Sequence, residues 1–586
     1  WKDTPEEDEF FECQEISEDD ENRIVEDLEQ DLSEDGSESL ENSLPPAARR
    51  IKVTGPRHPT LINSDISTSN ILPYPRRPVA LLTERDPLTY NQAIMSDGQN
   101  HWKEAIKKEI QSMINLEVWE EVQIKDSYKL IGTTWVFKTK RNNSNQIIKH
   151  KARLCAQGFS QTQGRDYTKT FAPTARLNSL RTLIAVAAAR GLKFEQLDIK
   201  SAFLNAPIEE DVYLMIPQGL DRDKRNVCLK LKKAIYGLKQ APLAWYRQLS
   251  TWLMKLGFKI SKADSCVFYL EEPEPIWLFL HVDDIAIFGK HLTEFKRAIE
   301  KEFRTKMLGM ADLMLGIKII HQPDSITLTQ SHYIDSLLDS YGIAVGSLSY
   351  LSTATRPDLS YSISALSQFL ENPGITHWNL FLHVLKYLKG TSEFGLRYQK
   401  NLEKPIVAYS DADWGNCRIT RRSTTGYLIK INNNLIIWKT RKQPTVSLSS
   451  AEAEYKLLTD LTSEILWLRQ FCKETKIAEV KEAIVVHEDN QGCIDTANSD
   501  CNTNTRRMKH IDIQLPFIRE IIANSIIKLN YTPTTDMLAD FLTKSTTRPA
   551  LNRAMQELGL LRMGDKGGVK DCDLSQSVSR LESIEN

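Results

Sequence analysis

No stretch of this chain approaches the uninterrupted apolar length that a membrane span needs, which excludes a transmembrane helix. Its nine cysteines, Cys155, Cys228 and Cys417 among them, are scattered without paired spacing. That scatter excludes a zinc module and a disulfide framework, and it fits a reducing compartment. No internal repeat and no secretory signal is visible. The chain opens on Trp1 rather than Met, as expected of a fragment of a longer polypeptide.

What is present is enough for several cores. The 586 residues suit roughly three or four domains. Apolar residues make up 41% of the chain, which supports packed interiors. The net charge of −2 hides an asymmetry. Residues 1–42 hold 19 acidic against two basic residues, a local charge of −17, so the remainder carries +15. A basic body of this size fits a polyanion partner. Residues 1–60 read as an acidic, disordered segment, and the Pro-rich stretch 61–98 as a linker.

Order is expected from near Trp102, where Trp102, Ala105, Ile106, Ile110, Met113 and Ile114 share one helical face. Strands are expected around 133–139 and 151–156, and an Ala-rich helix over 178–190 closed by Gly191. Pro242 opens a helix that runs to Gly257.

Ile276-Trp-Leu-Phe-Leu-His-Val-Asp283-Asp284-Ile-Ala-Ile-Phe288-Gly289 carries the most information. Two apolar runs joined by a short polar link read as a buried hairpin. Adjacent carboxylates at its tip resist joint ionisation, and a divalent cation removes that cost. A solvent-exposed turn is the plainer reading, because Asp favours turns. A third carboxylate, Asp198, ends the short strand Phe194–Leu197. Alone it would be a helix cap; with the pair it completes the acids of a two-metal site.

These segments resemble the reverse transcriptase of copia-type long-terminal-repeat retrotransposons. The matches are Trp135-Val-Phe-Lys, Lys151-Ala-Arg-Leu, Gln196-Leu-Asp198-Ile-Lys-Ser-Ala-Phe203-Leu-Asn205, Tyr236-Gly-Leu-Lys-Gln-Ala-Pro242 and Val282-Asp-Asp284. The resemblance implies a fingers–palm–thumb polymerase in which Asp198, Asp283 and Asp284 hold two Mg²⁺ ions, with Mn²⁺ as a substitute. It implies that Phe203, whose plainer reading is core packing, collides with a ribose 2′-OH, that Lys140, Lys151 and Arg153 meet the triphosphate, and that Tyr236 and Gln240 approach the templating pair or the incoming nucleotide. His281 stands where the family usually has Tyr, and Leu243 replaces a common basic residue.

A second acidic series follows. Asp411 lies in Ala408-Tyr-Ser-Asp411-Ala-Asp413-Trp-Gly415, and a hairpin over 426–438 turns at Asn432–Asn434. Ser449 and Glu452 have capping-box spacing at the start of a long amphipathic helix, so the structural reading of Glu452 is a cap. Asp489 ends a strand and Asp540 sits on a short helix. In this order Asp411, Glu452, Asp489 and Asp540 resemble the ribonuclease H domain that follows reverse transcriptase in the same elements. The resemblance implies a sheet-centred α/β fold with two metals and cleavage of RNA in an RNA–DNA hybrid. Asp413 and Glu454 are left out, because alternation and helical spacing turn them away from the matched residues.

The expected fold is thus α/β and α+β multidomain. It comprises a reverse transcriptase over 99–343 with a truncated thumb, a connection over 344–403, a ribonuclease H-like domain over 404–560 and a flexible tail over 561–586. The truncation is read from Ile343 running straight into Ala344-Val-Gly346, where the family usually has several tens more residues. His377 and Trp378 in the connection read as packing residues. Implied partners are an RNA template, a DNA primer, the RNA–DNA hybrid, dNTPs, and the integrase and capsid portions of a parent polyprotein, with no membrane. The implied setting is intracellular, in a cytoplasmic particle and the nucleus. The alternative is a catalytically impaired relic or co-opted nucleic-acid-binding protein, favoured by the thumb-side gap.

Overall fold

A computed structural model describes residues 86–141, 147–220, 226–339, 345–400, 404–417, 419–499 and 514–563. The acidic start, most of the linker, the junction at 343–344 and most of the tail lie outside the described residues. The described part is a mixed α/β structure with four sheets and a separate two-stranded hairpin.

The helix Gln99–Asn115 buries Trp102, Ile106, Ile110 and Met113, the spacing expected of one face. Ile114 is exposed instead, because it falls past the edge of that stripe. Order begins earlier than the expected boundary at 98. Thr89 caps a short helix Tyr90–Met95, and Asp86 accepts the backbone N–H of Thr139 at 2.9 Å.

The strands Thr133–Arg141 and Ile147–Ala156 pair antiparallel, with Val136 opposite Arg153 and Lys138 opposite Lys151. Alternation sorts their side chains. Trp135, Phe137, Ala152 and Leu154 are buried, while Lys138, Lys140, Lys149, Lys151 and Arg153 share the other face.

A six-stranded antiparallel sheet holds the first acidic residues. Its order is Thr305–Met310, Lys193–Ile199, Asp284–Gly289, Ile276–His281, Val267–Leu270 and Lys259–Ile260. The nearly unbroken apolar runs of the hairpin arise because both faces of this sheet are covered. Trp277, Phe279, Ala286 and Phe288 enter one core with the helix Leu177–Arg190. Leu278, Leu280, Ile285 and Ile287 enter a second with the helix Ala241–Lys255. Gly191 ends the first helix at φ +62°, as its position predicts.

The next sheet joins distant parts of the chain, in the order Leu313–Met314, Ile317–His321, Ser325–Thr329, Phe394–Gln399 and Leu560–Arg562. The segment expected to be a separate connection therefore shares a sheet with strands before it. Residues 561 and 562, expected to begin a loose tail, complete its edge. His377 stacks on Phe369 with centroids 3.9 Å apart, a packing role.

The last sheet runs Asn434–Lys442, Thr424–Ile431, Val407–Asp413, Ile484–Glu488 and Ile527–Tyr531. Its first three strands are antiparallel and its last two pairings parallel. Asn432 and Asn433 have φ of 51° and 61°, the left-handed pair that a tight hairpin turn requires. A 26-residue helix, Ser450–Thr475, packs across this sheet. Among the described residues, no helix is long and apolar enough to cross a membrane.

Candidate functional site

The register of the six-stranded sheet brings the first carboxylates together. Asp284 pairs directly with Asp198 across adjacent strands, and His281 with Asp284 across the hairpin. Val282 takes φ +59° and Asp283 forms the rest of the turn. Two hydrogen bonds pin that turn: Trp245 donates its indole N–H to the Val282 carbonyl at 2.6 Å, and Ile199 donates to the Asp283 carbonyl at 2.9 Å. A β-branched residue at positive φ is strained, and this bracing holds it there. Burial, then the neighbouring Asp283 and Asp198, push the Asp284 carboxyl up to about 6. Partial burial lowers the basicity of the neighbouring His281 ring.

The basic face of the N-terminal hairpin looks toward this cluster. Burial and repulsion from Arg153 and Lys140 lower the Lys151 ammonium, and attraction to Glu109 and then to Asp198 partly offsets them. Arg153 lies over the Tyr236 ring at 4.8 Å, and Tyr236 meets Phe203 edge-on at 5.2 Å. These residues form a cation–aromatic–aromatic column. Burial raises the Tyr236 hydroxyl to about 12, so it stays protonated at neutral pH.

Gly237 makes the column possible. Its φ is +88°, and a Cβ there would lie 2.2 Å from the Ala156 carbonyl oxygen. Gln240 behaves differently from the expectation of nucleotide contact. It is buried, donates to the Asp166 carbonyl at 2.9 Å and accepts from Gln161 at 3.0 Å. Its amide holds the loop over 161–166 against the helix start. Lys138 and Lys149, missed in the sequence, share the basic face; two-residue spacing from Lys140 and Lys151 was the available signal.

The second cluster differs from the sequence reading in one acid. Carboxylate oxygens of Asp411, Glu454 and Asp489 lie within 4.8 Å of one another. Glu452 is turned away, and both its oxygens are engaged. One accepts the backbone N–H of Leu448 at 2.8 Å; the other pairs with Lys456 at 2.8 Å. Its own N–H donates to Ser449. Glu452 is a cap, and Glu454 replaces it in the cluster. Two residues on a helix are about 200° apart, so both cannot face the same strand end.

Asp540 adjoins this trio through Lys544, whose ammonium is 3.1 Å from Asp540 and 3.6 Å from Asp411. Thr543 donates its hydroxyl to Asp411, and Thr534 donates to Asp489 at 2.6 Å. Burial pushes Asp411 up to about 6, with Lys544 and Thr543 opposing the rise. Burial, Glu488 and Asp411 hold Glu454 well above the carboxylate range. Beneath them Glu488 is fully buried, accepts from Ser410 at 2.6 Å and is raised to about 8, chiefly by burial.

Both clusters offer only carboxylate oxygens, the donors that suit Mg²⁺ and Mn²⁺. One Glu454 oxygen accepts from Ala412 N–H at 3.1 Å, and the other is buried with no hydrogen-bond partner. A buried carboxylate oxygen left unpaired beside two more acids fits a cation ligand.

The reverse transcriptase (RNA-dependent DNA polymerase) family matches residues 116–353, which include the hairpin, Asp198 and the Asp283–Asp284 turn. The Pol polyprotein of transposon TNT 1-94 from Nicotiana tabacum is 31% identical over 535 residues, 83% of this chain and 40% of the relative. Those of transposons RE2 and RE1 from Arabidopsis thaliana are 33% and 32% identical, over 84% and 83% of this chain. This chain carries a reverse transcriptase domain and is homologous to the Pol polyproteins of copia-type transposons along most of its length. It spans between 35% and 40% of the length of these relatives.

Proposed function

We propose that this chain is an RNA-directed DNA polymerase with an attached ribonuclease H activity, acting on an RNA template, a DNA primer and dNTPs. The observation that carries the polymerase reading is the register that sets Asp198 opposite Asp284 with Asp283 in the adjoining turn. In this reading the six-stranded sheet is the palm and the basic hairpin belongs to the fingers.

Asp198, Asp283 and Asp284 would hold the metal ions of the first site; Asp411, Glu454, Asp489 and Asp540 would hold those of the second. Two Mg²⁺ ions per site, or Mn²⁺ in their place, would neutralise phosphate charge and lower the pKa of the attacking hydroxyl or water. The protein's own residues do the rest. Lys151 and Arg153, with Lys140 nearby, supply charge to bind a triphosphate. Arg153 is held on Tyr236, and Tyr236 in turn backs Phe203. Phe203 thereby presents a supported ring edge against which a ribose 2′-OH would collide. At the second site, Lys544 balances the acids and Thr543 orients Asp411.

The integrase and capsid portions of a parent polyprotein are the proposed partners, and a cytoplasmic particle with nuclear access the proposed setting. Primer extension on an RNA template, run beside cleavage of a labelled RNA–DNA hybrid, tests both halves. Extension with dNTPs and cleavage of the RNA strand are expected, each requiring a divalent cation.

A further inference from the structure

The helix Gln99–Asn115 packs its apolar stripe against the buried face of the basic hairpin, and it brings one acid with it. Glu109 is half-buried beside the strand Ile147–Ala156. Beyond a bridge between Cys155 and Tyr236, the outer edge of that strand pairs with no other strand among the described residues. Two backbone donors on this edge point the same way, being two residues apart. Ala156 N–H donates to the Tyr236 carbonyl at 2.8 Å. Leu154 N–H donates to the Glu109 carboxylate. The second Glu109 oxygen is buried with no hydrogen-bond partner, and so is Nε of Arg153, the residue next to Leu154.

Closing that edge needs one acceptor oxygen, which an amide would supply as well. What Glu109 adds is a negative charge beside a row of cations. Burial raises its carboxyl, and Lys151 and then Arg153 oppose the rise. In return Glu109 attracts the Lys151 ammonium more strongly than Asp198 does. Its field also reaches the Tyr236 hydroxyl, where it outweighs Asp283. The charge thus acts on the cations and on the ring that carries Arg153, from the side away from the solvent-facing lysines. Lys138, Lys140 and Lys149 add to the same basic face. A face so charged attracts any polyphosphate, including the pyrophosphate released when a nucleotide is added. A fixed negative charge beside it weakens that attraction without moving a donor.

We propose that Glu109 is the counter-charge of the triphosphate-binding face, which limits how tightly that face grips a polyphosphate and so lets pyrophosphate leave. Glu109 is a positioning residue: it acts through Lys151 and Arg153 and touches no substrate. This inference rests on the reading of the basic hairpin as the triphosphate-binding face, and it concerns the strength of that grip rather than the chemistry at the carboxylates.

The test uses the full chain and two readouts: the KM for dNTP in primer extension, and pyrophosphate binding by isothermal titration with Mg²⁺ present. Glu109→Gln keeps an oxygen for Leu154 N–H and loses the charge. It is expected to bind pyrophosphate about three- to tenfold more tightly than the wild type, and to lower the KM for dNTP by a similar factor. Glu109→Asp, which keeps the charge, returns both values toward those of the wild type. The gap between Glu109→Gln and the wild type narrows as salt is raised. Unchanged or weaker pyrophosphate binding by Glu109→Gln overturns the proposal, because a residue that only shapes the strand would loosen Arg153 and weaken the grip. Glu109→Met removes the charge at similar volume and serves if Glu109→Gln fails to fold. If neither folds, Glu109 is a structural plug and the proposal falls. The titration needs no catalysis. A wild type that binds pyrophosphate but never extends a primer therefore removes the proposed polymerase, while the variants still decide the counter-charge by titration. A wild type that binds no pyrophosphate overturns the counter-charge itself.

Discussion

Glu452 and Glu454 stand two residues apart on one helix and do unrelated work. Glu452 closes the helix start through Leu448 N–H and Lys456, whereas Glu454 reaches Asp411 and Asp489. Glu454→Gln is therefore expected to reduce hybrid cleavage by at least about a hundredfold, the upper range for supporting groups around a metal. Glu452→Ala is expected to leave the cleavage rate near wild type and cost about 1 kcal/mol of stability through the lost cap. Single-turnover cleavage and thermal denaturation of both variants check the assignment.

Proton and cation should compete at the second cluster. Asp411 is raised to about 6, so it is protonated in part at mildly acidic pH. A carboxyl raised in the folded state favours folding as pH falls through that value, because the native state then holds the extra proton. Bound cation requires the ionised form and favours the native state at higher pH. The rise in melting temperature produced by Mg²⁺ or Mn²⁺ is expected to shrink as pH is lowered from 7 to 5. Calorimetry with and without the ion, repeated on Asp411→Asn, measures it. A shift independent of pH would contradict the assignment.

Gly237 offers a test of the column beneath the basic hairpin. Any side chain there meets both a left-handed φ and the Ala156 carbonyl. Gly237→Ala should destabilise the fold by about 1–3 kcal/mol and weaken dNTP use, because it displaces Tyr236 from Arg153. Chemical denaturation and the KM for dNTP report the two effects.

Phe203 should govern sugar choice. Phe203→Ala opens the space beside Tyr236 and is expected to raise ribonucleotide insertion relative to deoxynucleotide by about tenfold or more. Paired single-nucleotide insertion assays give that ratio. A ratio equal to wild type would leave Phe203 as a packing residue only.

Local chemistry made much of this legible in the sequence. The hairpin around Asp283 was readable because both of its faces enter cores, which leaves apolar runs that a surface strand would not have. Gly191 and Asn432–Asn433 were readable because their backbone conformations demand such residues. The pairing of 394–399 with 325–329 and 560–562 was not, since sequence carries no local signal for strand neighbours so far apart. Glu454 was missed because a capping-box residue and an acid of the cluster lie within one helical turn. Gln240 shows the reverse problem. A polar residue in a matched motif was expected at the nucleotide, yet its amide is consumed by Asp166 and Gln161.

The pairing of Asp198 with Asp284 is the relationship on which the proposed polymerase activity depends most directly. Primer extension on an RNA template should proceed with dNTPs and a divalent cation in the wild type. Asp284→Asn should abolish it while leaving hybrid cleavage intact. Extension undiminished by Asp284→Asn would contradict the account, as would a wild type that cleaves hybrid normally but never extends a primer.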